Sequence, residues 1–169
     1  VNSAATLSNQ RLHFDMVRVG ISLYGYSPLI NFESGLNLKP ALKLKARVTY
    51  IREVPKGVGV GYGHLFRTKR KSRLAVVAIG YADGVNRALS GKISAIVDGV
   101  LVPQVGAIAM DQLVLDITNS PNIKAGKVVT LLGSEGEMMI SPQRWSDLSG
   151  SIPWEILCGF KNRLPRVVI

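Results

Sequence analysis

Hydrophobic and polar positions alternate most regularly from Pro40 onward, and this pattern predicts β structure. Between residues 42 and 50, apolar side chains ending with Tyr50 alternate with lysine, arginine and threonine. A period of two is typical of a strand with one buried and one solvated face. Pro55-Lys56-Gly57 is a turn signal that ends this strand.

Further strands are predicted along the middle of the chain. Residues 74–79 form a continuous apolar run, which indicates a strand buried on both faces. Asp98-Gly99, between apolar runs at 93–97 and 100–105, is the pair that type I′ hairpins prefer. Two more strands are expected, at 112–117 and 127–132.

Helix signals come late in the sequence. Ser141-Pro142 joins an N-cap residue to a proline at the first helical position, which predicts a short helix over 143–148. A second helical segment is expected from Ser151, with Pro153 near its start and Glu155 in its first turn.

The first 37 residues differ in character from the rest. Residues 15–19 are predicted to form a strand that runs through a glycine into a helical turn at 20–25. Unpaired backbone N–H groups at such a turn can bind an anion, as after the last strands of a β/α barrel. We therefore expect a mainly β protein whose first 37 residues look like the tail of a different domain.

Composition narrows the class of protein. A chain of 169 residues with 47% hydrophobic and 19% charged residues should fold, either as one domain or as one domain plus a remnant of another. No apolar stretch approaches the length of a membrane span, and the first residues lack the features of a secretory signal. Cys158 is the single cysteine, so we expect no disulfide and a cytoplasmic protein. His13 and His64 are too few and too far apart for a zinc-type site.

The net charge of +10 raises the question of nucleic-acid binding. The densest basic run, residues 67–73, lies between apolar segments, where a solvated hairpin loop is the favoured interpretation. A basic β-barrel module that binds nucleic acid remains the alternative function, with Tyr62 and Tyr81 as packing or stacking residues.

Tyr62 lies in a glycine-rich run, between Gly61 and Gly63. Flanking glycines let a tyrosine sit on a closely approached, water-poor backbone, where its hydroxyl is a candidate acid or base. An aromatic residue in a plain β-turn is the competing interpretation. The run is not a dinucleotide fingerprint, because a basic loop follows it where a helix would be required.

Several short motifs, weak one by one, form a specific ordered set. Together they closely resemble the C-terminal part of bacterial alanine racemases, and the likeness extends from Asn2 to the chain end. The matching segments are residues 2–5, 15–25, 60–63, 79–84, 105–112 and 163–166.

The resemblance implies a fold and an activity. Alanine racemases join a β/α barrel that binds pyridoxal 5'-phosphate to a C-terminal β domain, and act as homodimers whose active sites use both chains. The resemblance therefore implies that residues 1–37 are the tail of a β/α (TIM-type) barrel and that residues 38–169 form the C-terminal β-barrel-like domain. These enzymes interconvert L- and D-alanine in the cytoplasm, and D-alanine is a peptidoglycan precursor. The resemblance does not extend to the family's cofactor-binding lysine segment, since nothing in this sequence matches it. We therefore expect this chain by itself to be inactive.

The resemblance also implies roles for individual residues. Tyr62 matches the acid or base on one face of the substrate, and the absent lysine serves the other face. Arg18 matches the arginine that contacts the pyridine nitrogen, although a solvent-facing charge at a strand end is the simpler interpretation of it. Ser3, Gly20 and Ile21 match the positions that bind the cofactor phosphate, the last two through backbone N–H groups.

Other matched positions surround the substrate. Met110 matches a residue whose backbone N–H binds the substrate carboxylate, and Asp111 matches its neighbour, which sets the loop. A methionine in a core is the competing interpretation for Met110. Tyr81 and Arg87 match residues that line the substrate access corridor, though Tyr81 could equally be a packing residue.

Two residues depart from the family pattern. Trp154 replaces the tyrosine that hydrogen-bonds the phosphate and braces the catalytic tyrosine, and an indole N–H donates but cannot accept. Ala107 stands where many relatives have an arginine near the corridor. A related PLP-dependent decarboxylase is the third candidate, but its cysteine and aspartate motif is not matched, because Cys158 lies in an apolar run.

Overall fold

The computed structural model of the protein describes residues 1–29 and 37–168. Within them the chain divides into two compact units, Val1–Lys43 and Leu44–Ile169. The predicted domain boundary after residue 37 adjoins residues 30–36, which lie outside the described part.

The first unit contains short helical segments. Helix α1 (Ser3–Ser8) begins where the Oδ1 atom of Asn2 accepts a hydrogen bond from the Ala5 N–H at 3.1 Å. Two 3-10 turns follow, Gln10–Leu12 and Ile21–Tyr24. The second confirms the predicted helical turn, which ends at Gly25 with a positive φ of 82°.

The strand predicted at 15–19 is wrong. The structure assigns no strand to these described residues, and Met16 is 78% exposed. The Arg18 N–H donates to the Val1 carbonyl at 2.7 Å. One such bond is not a ladder, and a strand needs a continuous paired neighbour to persist.

The second unit is built from antiparallel strands and two helices. In the described part of the chain it contains nine strands: β1 (Leu44–Val54), β2 (Gly59–Val60), β3 (Phe66–Arg67), β4 (Ser72–Val77), β5 (Ser94–Val97), β6 (Val100–Val105), β7 (Leu113–Asp116), β8 (Val128–Glu135) and β9 (Met138–Ile140). The helices are α2 (Pro142–Ser149) and α3 (Pro153–Cys158).

Six of the strands close into a barrel. Their order is β1-β4-β7-β6-β5-β8, and β8 returns to pair with β1, while β9 adds to the outer side of β8. Closure leaves no unpaired edge among these six strands. The predicted mainly β fold with a barrel-like domain is confirmed.

Strand β1 belongs to both halves of the barrel and bends between them. Its first residues pair with β8 and its last with β4, and the register to β4 shifts between Val48 and Tyr50. A bulge of this kind moves the following side chains to the opposite face. The expectation that Tyr50 faces the core is therefore wrong, and its side chain is 57% exposed.

The hairpin prediction is confirmed in detail. Asp98 and Gly99 have φ values of 50° and 75° between β5 and β6, as a type I′ turn requires. Strands β4, β7 and β8 occupy the other predicted segments. The short strands β2, β3 and β9 were not predicted, because two or three residues carry no measurable alternation.

The barrel interior is filled by aliphatic side chains from opposite walls. Fully buried examples are Val48, Ala75, Val77, Ala95, Leu115 and Leu131. Both late helices are also confirmed, with Ser141 accepting a hydrogen bond from the Arg144 N–H at the start of α2. Trp145 of α2 is fully buried and packs edge-to-face on Phe160.

Candidate functional site

The loop that carries Tyr62 is fixed by direct contact between two stretches of backbone. Gly61 and Gly106 both have positive φ, and each lacks the side chain that would separate the two loops. A Cβ on Gly61 would lie 3.1 Å from the Ala107 nitrogen, and one on Gly106 would lie 2.6 Å from the Val60 oxygen. Tyr62 is therefore placed by main-chain packing.

The side chain of Tyr62 projects away from this contact and is 74% exposed. The predicted close approach of backbone exists, but the predicted water-poor backbone does not, since Gly61, Tyr62 and Gly63 are all exposed. An open phenol at a rigid position is accessible to a ligand from outside this unit.

A second pair of loops is also joined by close contact between their backbones. The N–H groups of Tyr81 and Ala82 donate to the carbonyls of Ala109 and Met110, at 3.0 and 2.9 Å. A Cβ on Gly80 would lie 2.2 Å from the Ala109 oxygen, so only glycine permits this contact. Backbone hydrogen bonds thus join the two sequence motifs that contain Tyr81 and Met110 into one surface.

Three predicted residues line one open cavity of about 780 Å³: Tyr62, Tyr81 and Arg87. Sequence reasoning missed the polar residues that share this lining with them, which are Asn86, Ser151, Glu155 and Lys161. Asn86 adjoins the predicted Arg87 and the motif at 79–84, and could have been found from them. Lys161 and Glu155 carry no local signal, since they reach the cavity only through the packing of α3.

Buried polar side chains tie the loops around the cavity together. Gln104 is 2% exposed, accepts from the Gly91 N–H at 2.6 Å, and donates to the carbonyls of Val105 and Gly106 at 2.9 Å. Ser90 accepts from the Ile108 N–H at 2.9 Å. The bonds from Gly91 to Gln104 and from Ile108 to Ser90 join the 86–91 loop to the 104–108 segment, and the two Gln104 amide bonds brace that segment internally.

The remaining predicted residues of this unit lie around the same loops. Met110 is 56% exposed and does not have the buried position of a core methionine. Asp111 is also exposed. Trp154 lies in the first turn of α3 and is 40% exposed, beside Glu155 of the cavity lining. Ala107 is buried against Gly61, so its backbone has a role that does not depend on its side chain.

In the first unit the structure brings Ser3, Gly20 and Ile21 together. The Ser3 Oγ atom accepts from the Gly20 N–H at 2.8 Å and lies 3.5 Å from the Ser22 nitrogen, so its own hydrogen is free to donate. The Ile21 N–H begins a helical turn and has no acceptor within that turn. This donor set suits a phosphate group. Arg18, two residues before Gly20, is exposed.

The basic run at 67–73 is engaged in contacts within the protein. The Arg73 guanidinium donates to the carbonyls of Ser120, Pro121 and Ile123. Arg70 donates to Asn119, and Lys71 lies 2.7 Å from Glu53. The hydrogen bond and charge of Lys71 lower the pKa of the Glu53 carboxyl. These contacts favour the loop interpretation of the run over a nucleic-acid surface.

The described residues contain neither a candidate metal site nor a candidate membrane-spanning helix. No group of three or more histidine, cysteine or carboxylate side chains there is arranged to hold a metal ion. No helix in residues 1–29 and 37–168 has the length and apolar character that crossing a membrane would require.

The sequence matches two family descriptions. Residues 41–168 match "Alanine racemase, C-terminal domain", and residues 1–28 match "Alanine racemase, N-terminal domain". Curated relatives include alanine racemases of Prochlorococcus marinus, 64% identical over 99% of this chain and 44% of that protein, and of Nostoc, 49% identical over 98% and 43%. The chain thus spans less than half the length of the curated relatives it matches.

Solved structures give the same result. An alanine racemase from Bacillus anthracis with bound L-Ala-P is 40% identical, with a TM-score of 0.88 over 95% of this chain and 42% of that one. An alanine racemase from Oenococcus oeni is 31% identical, with a TM-score of 0.90 over 100% of this chain and 47% of that one.

Proposed function

Because this chain belongs to the alanine racemase family, we propose that the protein of which it forms part interconverts L- and D-alanine with pyridoxal 5'-phosphate. The observation that carries the proposal is the rigid placement of Tyr62, which shares one cavity with Tyr81 and Arg87. A tyrosine held by its backbone and open at its hydroxyl can move a proton at a substrate presented to it.

Proton exchange at the α-carbon needs one group on each face of the substrate. Tyr62 holds or removes the α-proton on one face, and a lysine outside this sequence serves the other. When bound, the cofactor withdraws electrons from the α-carbon and so makes its proton removable. The Met110 N–H binds the substrate carboxylate, Asp111 sets that loop, and Tyr81 and Arg87 line the access corridor.

The first unit supplies contacts to the cofactor. The Ser3 hydroxyl and the Ile21 N–H donate to its phosphate, and Gly20 orients Ser3 through the 2.8 Å bond between them. Arg18 donates to the pyridine nitrogen and leaves it largely unprotonated, which favours simple proton exchange. Trp154, which belongs to the second unit, donates its indole N–H to the phosphate in place of a tyrosine hydroxyl, but unlike that hydroxyl it cannot accept a hydrogen bond.

The intact protein works as a cytoplasmic homodimer that supplies D-alanine for peptidoglycan. In that dimer each active site combines the two chains. Tyr62 and Arg18 of one molecule then serve different active sites. One short chain therefore carries a residue for proton transfer in one site and a residue that contacts the cofactor in the other.

The variant Tyr62→Phe in the intact protein tests the proposed acid/base role. Phenylalanine keeps the ring but removes the transferable proton, so we expect α-deuterium washout to be abolished from one enantiomer while cofactor absorbance is unchanged. Tyr50→Phe is the matched control, because Tyr50 is also exposed but lies on the outside of β1. Unchanged washout from both enantiomers in Tyr62→Phe would overturn the assignment.

The isolated chain tests whether racemisation requires a second proton-transfer group in addition to Tyr62. We expect no racemisation of L-alanine by residues 1–169 with added cofactor, since the second proton-transfer group lies outside this sequence. Measurable D-alanine would contradict the two-base scheme. Tight, salt-sensitive nucleic-acid binding that ignores pyridoxal 5'-phosphate would instead favour the basic binding module.

A further inference from the structure

Asp83 is a buried carboxylate with both oxygens engaged. It ends the 3-10 turn Tyr81–Asp83 and is 6% exposed. Its Oδ2 atom accepts from the Gly80 N–H at 2.9 Å, and its Oδ1 atom accepts from Arg163 Nε at 2.9 Å. A charge removed from water needs such partners, so its position is closely determined by them.

The turn that Asp83 closes presents two donors to the substrate loop. As the hydrogen bonds at 3.0 and 2.9 Å show, Tyr81 and Ala82 hold the carbonyls of Ala109 and Met110. The Asp83 bond to Gly80 fixes the residue immediately before these donors. The backbone of Met110 therefore has its position set from the Tyr81 turn.

The other side of the turn is held by the C-terminal part of the chain. A Cβ on Gly84 would lie 2.6 Å from the Gly159 oxygen, so the turn packs directly on the end of α3. Arg163, a few residues further along the chain, forms the ion pair with Asp83. The turn thus contacts the C-terminal segment on one side and the 107–112 loop on the other.

We infer that Asp83, held in place by Arg163, is a positioning residue that sets the substrate-binding backbone of Met110. This inference rests on the proposed function, in which the Met110 N–H binds the substrate carboxylate. Asp83 does not touch the substrate. Its loss should weaken binding of both enantiomers, because both present a carboxylate to the same N–H.

The variant Asp83→Asn in the intact protein tests this inference. Asp83 accepts through both of its oxygens, whereas asparagine has an NH2 donor at one of the two positions, so it cannot accept from Gly80 and Arg163 in the same geometry. We expect KM for L- and D-alanine to rise by about tenfold or more. The ratio of α-deuterium washout between the two faces should not change. A merely structural defect would lower the active fraction, and hence kcat, without changing KM.

Two further sets of variants complete the test. Asp98→Asn is the matched control, because Asp98 pairs with Lys127 at the Asp98-Gly99 turn of the β5–β6 hairpin and should keep native KM values. Arg163→Met should raise KM, and Arg163→Lys should restore part of the loss. Arg163 is half-exposed, so these variants keep the inference testable if Asp83→Asn does not fold.

The outcomes separate this inference from the proposed function. If the wild-type protein racemises alanine while Asp83→Asn and Arg163→Met both keep native KM values, the positioning role is overturned and the proposed function stands. If the wild-type protein does not racemise alanine, the proposed function fails, and the positioning role fails with it.

Discussion

Gly106 and Gly99 have nearly the same backbone conformation, with φ values of 73° and 75°, but different surroundings. At Gly99 an added Cβ meets nothing within 4 Å, whereas at Gly106 it would lie 2.6 Å from the Val60 oxygen. The position of Tyr62 depends on this close approach, because Val60 leads directly into its loop.

We predict that Gly106→Ala destabilises the protein more than Gly99→Ala does. Both variants incur about 1–2 kcal/mol for the left-handed conformation, and Gly106→Ala adds about 1–3 kcal/mol for forcing the two backbones apart. Urea unfolding of the two variants measures the difference. Racemase activity should fall further in Gly106→Ala than its stability loss explains, and equal effects of the two variants would contradict this account.

At the scale of secondary-structure elements, Trp145 is the largest of the buried side chains of α2. This side chain is fully buried, packs on Phe160 at a centroid distance of 6.3 Å, and has an Nε1 atom without a partner among the described residues. Its contribution is therefore packing and not hydrogen bonding.

We predict that Trp145→Ala lowers the free energy of unfolding by about 3–5 kcal/mol, through the lost contacts and the cavity left behind. Trp145→Phe should lose roughly half as much or less, because it also removes an unsatisfied buried donor. Urea denaturation compares the two variants directly. A loss in Trp145→Phe close to that in Trp145→Ala would contradict this account, because the indole N–H, which both variants remove, would then carry most of the contribution.

A second element-scale prediction concerns the end of β1, where Glu53 pairs with Lys71 beside β4. The pKa of Glu53 is lowered by Lys71, so the folded state releases this proton more readily than the unfolded state. The stability from this pair is present above the unfolded pKa of about 4.3 and is lost as pH falls through the lower folded value. The urea midpoint of Glu53→Gln should thus be below wild type at pH 7, by a small amount that salt reduces, and equal to wild type near pH 2. A difference that persists in acid would contradict the ion-pair explanation.

Features that depend on adjacent residues could be predicted from the sequence, and features that depend on distant pairing could not. The β5–β6 hairpin and the start of α2 were predictable because each depends on a few adjacent residues, Asp98-Gly99 and Ser141-Pro142. The bulge after Val48 was not, because it is a property of the pairing between β1 and β4. Glu155 and Lys161 were missed for the same reason, since distant packing brings them to the cavity of Tyr62.

At the scale of the whole second unit, closure of the barrel depends on one seam. There β1 pairs with β8, with Leu44 opposite Leu132 and Arg47 opposite Val128. The other five junctions join strands into a sheet, and only this one turns the sheet into a barrel. Because the loops of Tyr62, Tyr81 and Met110 all leave this barrel, their geometry requires the seam to stay closed.

We predict that the seam amides exchange with deuterium as slowly as those between β4 and β7, two strands that take no part in the seam. Exchange from a closed barrel requires opening of the unit as a whole, so all six barrel strands should share one free energy of opening. Strand β9 is the internal control, because it is paired with β8 at one side and should exchange faster. Amides of residues 44–47 that exchange as fast as those of β9 would show that the barrel opens at the seam, and the three site loops would then move apart with it.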